Sequence, residues 1–597
     1  MSSSTFRKVA ALVVSIGFAC LAILSPDGWY QPASLNSELP APRFDGAILL
    51  RACFILDAAL VMAAAYWPRG IVSARQQKTQ MAALSEIPGD VSDRVATRVL
   101  IAVCVLAVAL RIIGLDSGLW LDEISPVVDY GQLSAMKVIA TYLGSANHLF
   151  NTLLVNESIA LFGRHEWAIR LPAALFGMLT IPAIYFVTRI ALSRRASLAA
   201  AILLTTSYHH VFFSQNARGY TAYLLFSLLS CGLLAGALQR NQRRDWLAYV
   251  LISVLNVASL LNSVFVIAAH GIIALARSFE VWRNSRSTEL LKSTLVSFFL
   301  TGFFAVHIYA LVIPQILNVM NTTYKMKSAG FSSPLSKEFI YDLLSGLSPA
   351  IAAGAAGIGL LAAVVGMIGL LKLFRSNRVL TAALVLPNIL LFIFVIVEQV
   401  SVTPRLFLFT LIVAVICAAS GIDWTINKVF SRTQPIARNI LFVTAISGTA
   451  ALSSLSLIAY YSIPKQDYAI AIKYLQSQRH PTDVVIVAYL AKYGFTYYSR
   501  ELSVDRDSNT FFIRDEQRFL EIVRRSAGRR VWVVNTFERA LRLDLPAMDQ
   551  ALQKDWVVAY RARGTIADGN ILIYRSKEPN LRKALGRRGL SVKSQPH

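Results

Sequence analysis

The sequence predicts a mainly α-helical protein that crosses a bilayer about thirteen times and ends in a small soluble α/β domain. Three observations predict this. Hydrophobic residues make up 55% of the 597-residue chain and charged residues only 15%, where a soluble domain carries about 25% charge. Long apolar runs recur as far as Tyr461, and a span needs about 20 such residues. Beyond Tyr461 the pattern changes to short β-type runs separated by polar, helix-patterned sequence.

The spans are read from apolar length and flanking charge. They fall near 8–24, 47–66, 100–115, 170–188, 196–213, 219–238, 246–259, 263–277, 294–314, 351–374, 379–398, 405–421 and 439–461. The first is read as an uncleaved anchor, because Gly17 and Ala19 before Cys20 make a poor lipoprotein-type cleavage site. The five cysteines each sit in an apolar run without metal-ligand spacing, so no disulfide framework is implied.

The formal charge is +24, from 58 basic and 34 acidic residues. Much of the excess lies in short segments between apolar runs, such as Arg189, Arg194 and Arg195, or Arg240, Arg243 and Arg244. That is the positive-inside pattern, and it makes the basic balance a topology signal rather than a nucleic-acid signal. Short basic loops are therefore read as cytoplasmic. The longer loops 116–169, 315–350 and 399–405 hold the distinctive polar residues and are read as external. An odd span count puts the N-terminus inside and the C-terminal domain outside.

Four regions follow. Residues 1–97 hold two N-terminal spans and a basic cytoplasmic loop, and residues 98–461 form the main membrane domain. Residues 462–578 form the soluble α/β domain, with strands at 484–490, 531–534 and 571–574 and a helix at 515–525. Residues 579–597 form a basic tail, read as disordered.

The candidate chemistry lies in the external loops. Asp122 and Glu123 follow the third span. Two adjacent carboxylates suit a general base or a divalent cation, and equally a solvated helix N-terminus favoured by the dipole. Asn147 and His148 lie farther along, as a metal or substrate contact or with an ordinary interfacial histidine. Glu166 and Arg170, four apart, share a helix face and read as structural. Arg218 and Tyr220 end the segment Ser214-Gln215-Asn216-Ala217-Arg218-Gly219-Tyr220. An arginine at the lip of an apolar helix needs a partner: a phosphate, which guanidinium binds bidentately, or the Asp122–Glu123 pair. Arg405 after Pro404 invites the same reading, and Lys325 and Lys327 add positive charge in the 315–350 loop.

The order of these pieces resembles the GT-C superfamily of membrane glycosyltransferases. It consists of an acid pair after an outward span, Asn-His, Phe-Gly-x-x-Glu-x-x-x-Arg-Leu-Pro, then Ser-Gln-x-Ala-Arg-Gly-Tyr. It looks like the bacterial ArnT/PMT-like branch, including the RgtA/B/C/D-like domain and family 39-like enzymes, over roughly residues 98–420. The resemblance implies transfer of a sugar from a polyprenyl-phosphate donor to a lipid, glycan or protein hydroxyl, on the periplasmic face of a bacterial inner membrane. It implies Asp122 as the base with Glu123 beside it. Arg218 would hold the departing phosphate, with Tyr220, Arg405, Lys325 or Lys327 assisting. It requires no certain cofactor and allows a divalent cation. Two departures stand out. Asn216 replaces an expected glutamate, and Leu149 follows His148 where many relatives have proline. Both weaken a metal role for His148. A transporter or flippase of lipid-linked glycans should carry ionisable groups in mid-span, and these spans are nearly free of them. An inert carrier-binding scaffold fits the loss of glutamate at position 216.

Overall fold

The computed structural model describes residues 3–33, 45–66, 91–144, 147–320, 336–337, 355–398, 404–502, 508–565 and 569–577. Lys325 and Lys327 lie outside the described residues, as does the tail from 578. The chain divides into two compact units. One comprises Met1–Ile113, Tyr130–Gly346 and Ile351–Ser456. The other comprises Gly114–Asp129, Leu347–Ala350 and Leu457–His597.

The first unit is helical. A helix is found at each of the thirteen predicted spans. Among the described residues nine are long and apolar enough to cross a membrane, and Arg194–Thr206 with Tyr208–Ser214, bent by 61°, makes a tenth. The break falls at Ser207, whose hydroxyl accepts from the His210 N–H. The other three are Ser3–Leu24, Arg243–Ser259 and Ala355–Ser376. Side-chain caps fix several starts where first-turn N–H groups lack intrahelical acceptors. Ser193 accepts from Ala196 N–H at 3.1 Å and Asn377 from Leu380 N–H at 2.9 Å. The basic loops are stitched by ion pairs, Arg195 to Asp423 and Arg240 to Asp245.

Helix Tyr220–Arg240 is the most enclosed, with 83% of its span buried. Thr221 in its first turn donates to the Ala173 carbonyl at 2.7 Å, locking it against helix Glu166–Thr188. Two features depart from expectation. The loop after the third span contains an apolar helix, Leu149–Phe162, whose Asn151, Thr152 and Ser158 are buried. Among the described residues the spans also carry close ionisable pairs: Asp57 Oδ2 lies 3.5 Å from His307 Nδ1, and Arg111 Nη2 lies 2.6 Å from His210 Nδ1.

The second unit contains a five-stranded mixed sheet in the order β2-β1-β3-β5-β4. The strands are β1 (Val484–Ala488), β2 (Thr510–Ile513), β3 (Val531–Thr536), β4 (Trp556–Ala562) and β5 (Ile571–Ser576). β1 runs parallel to β2 and β3, and β5 runs antiparallel to β3 and β4. The predicted strands are β1, β3 and β5, each buried along most of its length. The two missed strands are the edges. β2 is four residues long, and β4 is half-exposed with an irregularity between Val558 and Tyr560. Helix Glu516–Arg525 lies where the periodicity placed it and buries Phe519, Ile522 and Val523.

Candidate functional site

Each unit contains one polar centre built from the residues that the sequence singled out. In the first unit the centre is the turn Ser214–Tyr220, set against the start of helix Leu149–Phe162. Gln215 anchors the turn, donating from Nε2 to the Arg111 carbonyl at 2.9 Å and the Ile113 carbonyl at 2.6 Å. Asn151 Nδ2 donates to the Ala217 carbonyl at 3.1 Å. Asn147 is spent on local structure: its Nδ2 donates to the Thr141 carbonyl and its Oδ1 accepts from Thr152 Oγ1.

His148, at the N-cap of that helix, touches the turn twice. The Gly219 N–H donates to His148 Nδ1 at 2.9 Å, and His148 Nε2 lies 3.0 Å from Arg218 Nη2. A backbone N–H can only donate, so Nδ1 is the acceptor and a neutral ring carries its proton on Nε2. That N–H and the guanidinium N–H groups then converge, donor beside donor. Such a pair is satisfied by an anion oxygen that accepts from both. The ring stays neutral because burial lowers its pKa well below the ordinary histidine value, with the charges of Arg218 and Arg405 adding to the effect.

Glycine is required at position 219 for this approach. A Cβ there would lie 2.3 Å from the Ser259 carbonyl oxygen and 3.1 Å from His148 Nδ1. Tyr220 closes the cluster, with its ring edge-on to His148 at 5.3 Å and 5.9 Å from the Arg218 guanidinium carbon. The structure thus brings Arg218, Tyr220 and His148 together, with Arg405 near enough to act on the imidazole. Asn216 sits in the same turn at 1% exposure, and neither of its amide atoms has a hydrogen-bond partner among the described residues. Leaving a buried polar group unsatisfied costs about 1–3 kcal/mol.

The donor set does not fit a divalent cation at His148. One ring nitrogen takes a backbone N–H, the other faces a guanidinium, and an amide stands where a carboxylate was expected. Among the described residues no group of three or more His, Cys, Asp or Glu side chains is arranged to hold a metal. Glu166 and Arg170 occupy the first two turns of helix Glu166–Thr188. Arg170 is fully buried and Glu166 half-buried, as suits residues that shape the helix entry.

In the second unit the centre is helix Leu121–Tyr130, with Asp122 and Glu123 in its first turn. The two carboxylates differ. Asp122 is half-buried, whereas Glu123 is 0% exposed and pairs at 3.5 Å with Lys465, itself 1% exposed. Glu123, expected as half of a reactive acid pair, is thus committed to a buried ion pair. One helical position turns a side chain by about 100°, which separates the neighbours' surroundings. Asp129 on the same helix lies 3.4 Å from Tyr493 Oη. Burial pushes its carboxyl up to about 6, partly offset by the Tyr493 hydroxyl and the Lys492 charge. Sequence reasoning singled out neither Lys465 nor Asp129, because a lysine just past the last span reads as a topology marker.

Residues 150–313 match the family of dolichyl-phosphate-mannose-protein mannosyltransferases. The chain is similar to that family over this segment. The matched segment holds Arg218 and Tyr220, while Asp122, His148 and Arg405 lie outside it. No curated protein matches the chain. Among solved structures it is similar to ArnT from Cupriavidus metallidurans in the apo state, at 12% identity and a TM-score of 0.48, over 81% of this chain and 98% of that one. ArnT bound to undecaprenyl phosphate gives 14% identity and a TM-score of 0.46, over 82% and 99%. The Archaeoglobus fulgidus oligosaccharyltransferase with zinc and sulfate gives 15% and 0.47, over 79% and 72%.

Proposed function

We propose that this chain transfers a sugar from a polyprenyl-phosphate donor to a hydroxyl of an envelope lipid, glycan or protein, on the periplasmic side of a bacterial inner membrane. The observation that carries the reading is the convergence of the His148 Nε2–H and the Arg218 guanidinium. It makes a buried, cationic cluster of donors suited to a phosphate. Arg405 supports the same charge, and the family match over 150–313 supports the reaction class. Undecaprenyl phosphate is bound by an ArnT structure similar in fold.

In the proposed reaction the acceptor oxygen attacks the anomeric carbon and gives its proton to the Asp122 carboxylate. The bond from the anomeric carbon to the phosphate oxygen breaks, and its electron pair leaves with the polyprenyl phosphate. General-base catalysis is worth about 10² to 10⁴ in rate. Donors preset where charge develops on the leaving phosphate supply a further large part. Arg218 and His148 fill that role, and the polyprenyl chain explains why the enzyme resides in lipid.

A second reading rests on Asn216. With an amide in place of glutamate, the cluster would bind the carrier lipid without turning it over. Purified protein in liposomes separates the two. Binding of polyprenyl phosphate, lost in Arg218→Ala, together with sugar transfer from a mixed lipid-linked donor fraction supports the enzyme. Binding without turnover of any donor in that fraction supports the scaffold, and no binding at all sinks both.

A further inference from the structure

The proposed reaction makes the position of the Asp122 carboxylate decisive, and the segment carrying it is anchored from the C-terminal domain. Leu119 N–H donates to Tyr498 Oη at 2.7 Å, and Leu121 N–H donates to Gln466 Oε1 at 2.9 Å. Leu121 opens the helix, so its N–H has no intrahelical acceptor, and Gln466 caps it from 345 residues away. Glu123, next to Asp122, is paired with Lys465 in the interior. The approach is close: a Cβ on Gly118 would lie 2.7 Å from the Gln466 carbonyl oxygen.

Lys465 and Gln466 are themselves fixed by the sheet. Gln466 Nε2 donates to Oγ1 of Thr536, the last residue of β3, at 2.8 Å. The adjoining Pro464 carbonyl accepts from Thr565 N–H, between β4 and β5, at 3.0 Å. A buried ion pair is weak evidence of stability, because desolvation offsets its attraction. Its best-attested use is to specify one arrangement among competitors.

We infer that the C-terminal domain positions the base: Lys465, through Glu123, and Gln466, through the Leu121 N–H, are positioning residues for Asp122. This rests on the reading of Asp122 as the base. It gives the α/β domain a part in the chemical step.

The test is a cycle of native, Lys465→Met, Asp122→Asn and doubly substituted full-length protein in liposomes, scored as turnover per folded molecule. Lys465→Met should lower kcat between about tenfold and a hundredfold, the scale of a misplaced catalytic group, while the donor KM stays within about twofold. Adding Lys465→Met to Asp122→Asn should cost nothing more, because the residue acts through that carboxylate. Gln466→Leu leaves the buried charges paired and should lower kcat in the same direction, which keeps the test open if the lysine variant does not fold. Native kcat in Gln466→Leu overturns the inference. So does a rise in KM at unchanged kcat, or an equal further loss on the Asp122→Asn background. Native transfer by Asp122→Asn alone removes the base assignment first, and the inference with it.

Discussion

His148 receives the Gly219 N–H on Nδ1 at 2.9 Å and presents Nε2 to Arg218 at 3.0 Å. One backbone hydrogen bond thereby sets the tautomer of a buried imidazole and turns its far nitrogen into a donor. Asparagine mimics the near nitrogen and glutamine the far one, so the two substitutions should fail in opposite ways. His148→Asn should keep the Gly219 contact and stability but lose about tenfold in affinity for polyprenyl phosphate, the scale of one hydrogen bond. His148→Gln should keep most of the affinity and lose stability, about 1–3 kcal/mol for an orphaned N–H. Lipid-binding titrations alongside thermal unfolding check both.

Gly219→Ala should fail on both counts. Its Cβ would meet the Ser259 backbone at 2.3 Å, and backbone cannot move aside as a side chain can. A loss of about 1–3 kcal/mol and abolished lipid binding are expected, read by thermal unfolding and by titration.

Asn216→Glu supplies the carboxylate that the sequence resemblance implies at this position and should weaken lipid binding by about tenfold or more. The new carboxylate would compete with phosphate for the Arg218 guanidinium. A chelator should leave phosphate binding by the native chain unchanged, since the groups around His148 suit an anion. Titrations with and without chelator test both statements.

Glu123→Gln should remove the carboxylate paired with the buried Lys465 ammonium. Removing one partner of a buried pair costs about 3–5 kcal/mol, so a large drop in unfolding temperature is expected. Glu123→Leu with Lys465→Met should recover much of it, because neither charge is then buried alone.

Asp129 predicts the sign of a pH effect. Its folded pKa, pushed up to about 6, exceeds the unfolded value of about 3.9, so the native state binds more protons between them. Its contribution to stability should be fully present below about pH 4 and be lost as pH rises through about 6. Asp129→Asn should flatten this dependence and raise stability at neutral pH, as read by unfolding temperature across pH 4–8.

The spans were legible because membrane thickness sets a length that composition must meet. Arg218 and Tyr220 were legible because charge beside an apolar helix is expensive. Helix Leu149–Phe162 was hidden because its buried face carries Asn151 and Thr152, which break the apolar pattern. The edge strands β2 and β4 were hidden because solvent on one side dilutes their alternation. The different surroundings of Asp122 and Glu123 were beyond reach, since Lys465 and Gln466 are distant in the chain and meet the helix only after folding.

The most direct test of sugar transfer is mass spectrometry of envelope lipids and glycans from cells with the native gene, without it, and with Asp122→Asn. The native gene alone should yield an envelope component heavier by one sugar residue. The other two strains should lack it and accumulate a polyprenyl-phosphate sugar. Identical profiles in all three strains, or full restoration by Asp122→Asn, would contradict the account.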